Sequence, residues 1–104
     1  MNFLSVERFL VNQEPITDTS GFMFQVGDIV SSRTTINWKV VAFAVHPIVG
    51  ISCLLEYPST HTFRGDEPWK GDGWQHGKNE QGDYVIRRVM KYSSLYLTEK
   101  GVSA

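Results

Sequence analysis

Trp38-Lys-Val-Val-Ala-Phe-Ala-Val45, then His46-Pro-Ile-Val-Gly50, then Gly50-Ile-Ser-Cys-Leu-Leu-Glu-Tyr57 form two apolar runs joined by a turn. The runs are short and rich in β-branched and aromatic residues, which favours strand over helix. Trp38, Val40, Ala42 and Ala44 are expected on one face, and Val41, Phe43 and Val45 on the other. Both faces are apolar, as expected of a central strand covered on both sides. Pro47 lacks a backbone donor and Gly50 tolerates positive φ, so the chain turns between them. The returning strand sets Ile51, Cys53, Leu55 and Tyr57 on one face, and Pro58 ends it.

Outward from this hairpin, Phe22-Met-Phe-Gln-Val-Gly-Asp-Ile-Val30 reads as a strand broken at Gly27-Asp28. Ser31–Thr35 is polar and reads as a loop. Residues 2–12 fit a short helix with Phe3, Val6 and Leu10 on one face, or a strand. Asn12–Gly21 is turn-like. Downstream, Tyr84–Met90 and Leu95–Thr98 read as short strands, and residues from Glu99 onward as a tail. Between them, residues 58–83 hold five of the nine glycines and two of the four prolines. An unstructured loop of that length is uncommon in a compact domain and is usually functional or disordered. The expected fold is mainly β: a small antiparallel barrel of about five strands, with room for a short N-terminal helix. The 104 residues are expected to form a single domain. In it, 1–21 is an N-terminal segment, 22–57 and 84–98 build the barrel, and 58–83 is an inserted polar loop.

Val26-Gly27-Asp28-Ile29-Val30 resembles the first strand of SH3-like barrels of the KOW and Tudor kind. In those barrels an apolar-Gly-Asp-x-Val segment enters the sheet and a hairpin like 38–57 follows. The resemblance rests on these five residues and spans about half the chain. The long insertion departs from a minimal SH3-like barrel.

Hydrophobic residues make up 41% of the chain and charged residues 20%, which is a globular composition. The net charge is −1, without the basic excess usual for a domain that holds nucleic acid by bulk charge. The single cysteine, Cys53, cannot form a disulfide within the chain. Glu7 and Arg8 interrupt the apolar N-terminal run, and no segment has the ~20 apolar residues of a membrane span. A cytoplasmic location is the expectation.

Candidate site residues concentrate in the loop. Trp69-Lys-Gly-Asp-Gly-Trp74 places two indoles on either side of a turn sequence. The rings either fold back as a lid on the domain or form a recognition surface with Phe63 and Tyr57, flanked by Arg64 and Lys70. Arg87, Arg88 and Lys91 form the basic cluster. On a strand, Arg87 and Arg88 point to opposite faces, so a solvated edge strand explains them better than a nucleic-acid groove. A modest phosphate-binding strip with Lys39 and Arg33 is the alternative. His46, His61 and His76 match no metal-binding motif, although Asp66, Glu67 or Asp72 could join the loop histidines on a metal. Cys53, mid-strand on a face expected to be buried, reads as a small inert hydrophobe rather than a nucleophile beside His46. No catalytic residue, metal or cofactor is assigned.

The expected function is therefore a non-enzymatic protein-binding module, a small regulator or inhibitor of a larger complex of the kind phages and other mobile elements carry. The alternative is a nucleic-acid-binding barrel, with Arg87, Arg88 and Lys91 on phosphates and loop aromatics stacked on bases.

Overall fold

The structure, a computed structural model, describes residues 3–59, 70–71 and 74–101, with only the backbone of 70–71. Its elements are a single-turn helix α1 (Val6–Phe9) and strands β1 (Glu14–Pro15), β2 (Ile29–Ser31), β3 (Trp38–His46), β4 (Gly50–Pro58), β5 (Lys70–Gly71), β6 (Trp74–Lys78), β7 (Tyr84–Lys91) and β8 (Tyr96–Glu99). A 3-10 turn, Tyr92–Ser94, joins β7 to β8.

The hairpin β3–β4 forms where the sequence places it, with Gly50 at φ 83° in the turn. Its strict alternation does not hold. Val40 pairs with Leu55 but Ala42 pairs with Leu54, so Val41 is an extra residue in β3. The bulge resets parity: Phe43 now lies opposite Cys53 and shares the face of Val40, not that of Val41. Ala42 and Ala44 pass to the other face, with Leu54 and Ser52.

The strand order is β5-β6-β7-β4-β3-β2-β8, antiparallel throughout, with β1 added to β3 beyond the end of β2. The chain is mainly β, as expected. Among the described residues β5 and β8 stand at opposite ends of this order, so the sheet is open. Residues 58–83 are not one unbroken loop either, since β6 lies within them and pairs along its length with β7. That pairing makes β7 an interior strand, not an edge. A two-residue strand β5 pairs with β6 and sets Gly71 opposite Trp74, while Trp69 lies outside the described residues. At the N-terminus the helix is only four residues long, capped by the Ser5 hydroxyl accepting from the Arg8 N–H.

Each face of the sheet has its own apolar cluster. On one, Val40, Phe43, Cys53 and Leu55 pack against Phe24, Val30 and Leu95. Phe22 and Phe24 approach the Phe43 ring at 5.0 and 5.7 Å, and Tyr92 closes over both. Phe24 is fully buried, which contributes about 1.5–3 kcal/mol. On the other face α1 sets Phe9 onto Ala44 and Leu54, with Leu4, Val6 and Leu10 around it. The Phe3 ring covers Gly77; a Cβ there would stand 1.9 Å from the ring, so any larger residue would have to displace Phe3.

Phe22–Val26 is not a strand, and Asp28 is the reason. Its carboxylate accepts the Gln25 N–H at 2.8 Å, the Gly101 N–H at 2.7 Å and the Lys100 ammonium at 3.0 Å. The Gln25 donor is thus satisfied locally rather than in a ladder. Gly27 sits at φ 96°, and Gly101 passes so close that a Cβ would meet the Gly27 carbonyl at 2.3 Å. The Gly-Asp pair therefore turns the chain into β2 and ties down the segment after β8. Burial pushes the Asp28 carboxyl up, but the Gly101 and Gln25 N–H groups and Lys100 together outweigh it and hold it below the usual carboxylate range. A depressed carboxyl stabilises the fold above its unfolded pKa, ~3.9, and loses that contribution as pH falls through the folded value. Asp28→Asn should therefore be less stable than wild type at neutral pH. The gap should close below about pH 4, which urea denaturation at a series of pH values would show.

Candidate functional site

The sheet register sorts the candidate residues onto two faces. Tyr57, Ile86 and His76 are cross-strand neighbours in one row, and Leu55, Arg88 and Trp74 in the next row on the same face. Trp38 joins the first row, its indole 5.5 Å from the Tyr57 ring. Tyr57 is 41% exposed, whereas Trp38 and Trp74 are half-buried. Trp74 meets the buried His76 ring edge-on, with centroids 4.9 Å apart. His76 Nδ1 lies 2.6 Å from the Ser59 hydroxyl, at the point where β4 gives way to the loop. The structure thus brings Tyr57 and Trp74 onto one surface and adds Trp38 and His76 to it. Phe63, Arg64 and Trp69 lie outside the described residues, as does the Lys70 side chain.

Arg88 belongs to this aromatic face. Its Nη1 donates to the Thr35 hydroxyl at 2.9 Å, and that hydroxyl donates to the Met90 sulfur. Its Nε is buried and has no hydrogen-bond partner, and among the described residues no carboxylate pairs with it.

Arg87 belongs to the opposite face and is consumed there. Its side chain is only 1% exposed. Nε and Nη2 donate to Glu56 Oε2 at 3.0 and 2.7 Å, Nη2 also reaches Glu80 at 3.1 Å, and Nη1 donates to the Leu4 carbonyl. The Phe3 ring covers the guanidinium at 5.2 Å. A phosphate contact from Arg87 would require dismantling this network. Lys91 is exposed and lies on the Arg87 side, paired across from Ser52, so Arg87, Arg88 and Lys91 form no common strip. The Glu56–Arg87 pair has a signature in the sequence that charge counting passes over. Glu56 is the one charge in 50–57, Arg87 lies in a mostly apolar run, and a buried strand carrying a charge needs its counter-charge on a neighbour. Nothing in the spacing points to the Ser59–His76 contact.

The Glu80 carboxyl is held below its usual range by a hydrogen bond from its own backbone N–H and by Arg87. The Cys53 thiol is fully buried and burial pushes it up to about 12, which leaves no thiolate at neutral pH and no nucleophile. His46 accepts the Ile48 and Val49 N–H groups on Nδ1 and serves the hairpin turn. Among the described residues no three His, Cys, Asp or Glu side chains gather as a metal site would need, and no helix is long and apolar enough to cross a membrane.

Removing one partner of a buried ion pair strands the other charge, at a cost of about 3–5 kcal/mol. Arg87→Met should lose that much stability in urea unfolding. The double variant Arg87→Met/Glu56→Leu should lose clearly less than the sum of the two single changes.

No protein-family model, no curated protein and no solved structure matches the chain.

Proposed function

We propose that the chain is a non-enzymatic protein-binding module, a small regulator or inhibitor of a larger complex. It would engage its partner through loop 58–83 and the aromatic surface at the loop's base. The observation that supports this most is Tyr57, 41% exposed and propped against Trp38 on the face that also carries Trp74. Tyrosine, tryptophan and arginine are the residues most often found to dominate binding energy at interfaces, and Arg88 completes that set here. The scaffold we attach to this reading is of the SH3-like kind. It is supported by the Gly27-Asp28 entry into β2 and the long hairpin that follows. The nucleic-acid reading is less favoured, because Arg87 is committed to Glu56 and Glu80.

Partner capture from the native host, with wild type and with Tyr57→Ala and Trp74→Ala, tests the reading. Tyr57→Ala should keep the fold and weaken capture by roughly thirtyfold, the loss expected from a hot spot of about 2 kcal/mol. Variants that unfold without wild type ever capturing a protein would remove the case for recognition. Oligonucleotide affinity that falls steeply between two salt concentrations would favour nucleic acid instead.

A further inference from the structure

The turn that joins β3 to β4 is held by a side chain. His46 ends β3 opposite Gly50, and its Nδ1 accepts the Ile48 N–H at 3.0 Å and the Val49 N–H at 3.2 Å. Pro47, between His46 and Ile48, has no N–H to offer. A ring nitrogen that accepts carries no proton, so in this turn His46 is neutral with its proton on Nε2. Asparagine or aspartate at the head of a turn works in the same way, its side chain bonding to the backbone two residues on.

Protonation removes that role outright. An imidazolium has a donor on both nitrogens and no acceptor, so Nδ1–H would then face two N–H donors. Histidine is the side chain that ordinarily changes charge between about pH 5 and 8. The turn therefore has its anchor at the alkaline end of that range and loses it at the acid end. The anchored tip carries Ile48, which at 87% is the most exposed large apolar side chain among the described residues, with Val49 at 46% and Val45 at 41% beside it.

No neighbouring charge takes over from the lost bonds. Alternation along β3 puts His46 on the Ala44 face. The charged groups on the elements packed against this end of β3 are Glu14 on β1, opposite Val45, Glu7 and Arg8 on α1, and Lys91 on β7, opposite Ser52 of β4. Glu56, the one charge of β4, lies at the far end of the hairpin, where it pairs with Lys39 of β3, and β2 carries no charge. The Tyr92 hydroxyl is on the other face and accepts the Met23 N–H. Among the described residues no ion pair involves His46, Glu7, Arg8, Glu14 or Lys91.

We propose that His46 is a proton-operated latch. Neutral, it holds tip 47–49 in one shape; protonated, it releases the tip and the exposed isoleucine on it. The proposal goes beyond the proposed function, since Tyr57 stands at the opposite end of β4 from this turn.

The test is a pH titration of the isotope-labelled protein from about pH 8 to about pH 5, the range in which histidine changes charge. It follows the His46 ring nitrogens and the hydrogen-exchange protection of the Ile48 and Val49 amides relative to an unstructured chain. At the alkaline end Nδ1 should be the unprotonated ring nitrogen. Protection of both amides should fall roughly fivefold as the ring takes up its proton, the effect of losing one hydrogen bond of ordinary net strength. The Leu54 amide, in mid-strand, should stay protected throughout. His46→Asn keeps an acceptor at the head of the turn but takes up no proton, so it should protect both amides equally across the range; His46→Asp serves if the asparagine does not hold the turn. His46→Ala should leave both amides unprotected at every pH, and Tyr57→Ala should titrate as wild type does. The proposal is overturned if the wild-type amides keep their protection while the His46 ring titrates, or if neutral His46 carries its proton on Nδ1. It is equally overturned if the loss of protection in acid persists in the variant that keeps the acceptor, which would assign the step to another group.

Discussion

One extra residue in β3 sets the arrangement on which both faces depend. With Val41 bulged, Val40 and Phe43 reach the same side and close the aromatic cluster with Phe24 and Tyr92. The small side chains Ala42 and Ala44 go to the other side, where α1 can lie close against the sheet. Without the bulge, Phe43 would point at the helix and Ala44 at the cluster. The helix would then meet a phenylalanine, and Phe24 would face a gap that a methyl group cannot fill. Bulges also deepen local twist.

How far the sequence carried follows from which signals are local. The hairpin 38–58 was legible because its strand and turn residues each specify their own conformation. The strands read at 84–90 and 95–98, observed at Tyr84–Lys91 and Tyr96–Glu99, were legible for the same reason. The bulge was not, because Trp38–Val45 is apolar at almost every position and gives no alternation to betray a change of parity. β6 was hidden differently. Trp74-Gln-His-Gly-Lys78 is polar and contains a glycine, so it lacks the composition of a strand, and it is held by the β7 ladder and by Phe3 lying on Gly77. Phe22–Val26 shows the reverse failure. Its composition suits a strand, yet the Asp28 carboxylate captures the Gln25 donor and the phenylalanines turn inward. On the site side, the placement of Tyr57 on a shared face with Leu55 was legible. The company of Trp38 and His76 was not, since it depends on cross-strand register.

Arg87 and Arg88 are adjacent in sequence and have opposite fates. Strand geometry sends them to opposite faces, and β7 is interior, so each meets a covered environment rather than solvent. Arg87 finds Glu56 directly across on β4 and Glu80 in the turn after β6, and becomes a structural ion pair. Arg88 finds Leu55 and Trp74 across the ladder and, among the described residues, donates to the Thr35 hydroxyl. The same residue type thus stabilises one face and leaves the other with a guanidinium that no carboxylate of the described residues neutralises.

That division bears on how the molecule could recognise anything. The aromatic face offers ring surface and an uncompensated cation, so it favours a partner with apolar and electron-rich groups. On the opposite face the charges are already paired, Glu56 with Arg87 and Lys39, and Glu80 with Arg87. Charge balance over the whole chain argues against binding driven by bulk electrostatics, but not against recognition in which each face selects its own chemistry. The β3–β4–β7–β6 block lies between them, and the Glu56–Arg87/Leu55–Arg88 step is a place where adjacent residues serve opposite faces. A change there alters both surfaces at once, whereas changes at Tyr57 or Lys39, at opposite sides of the sheet, act on one alone.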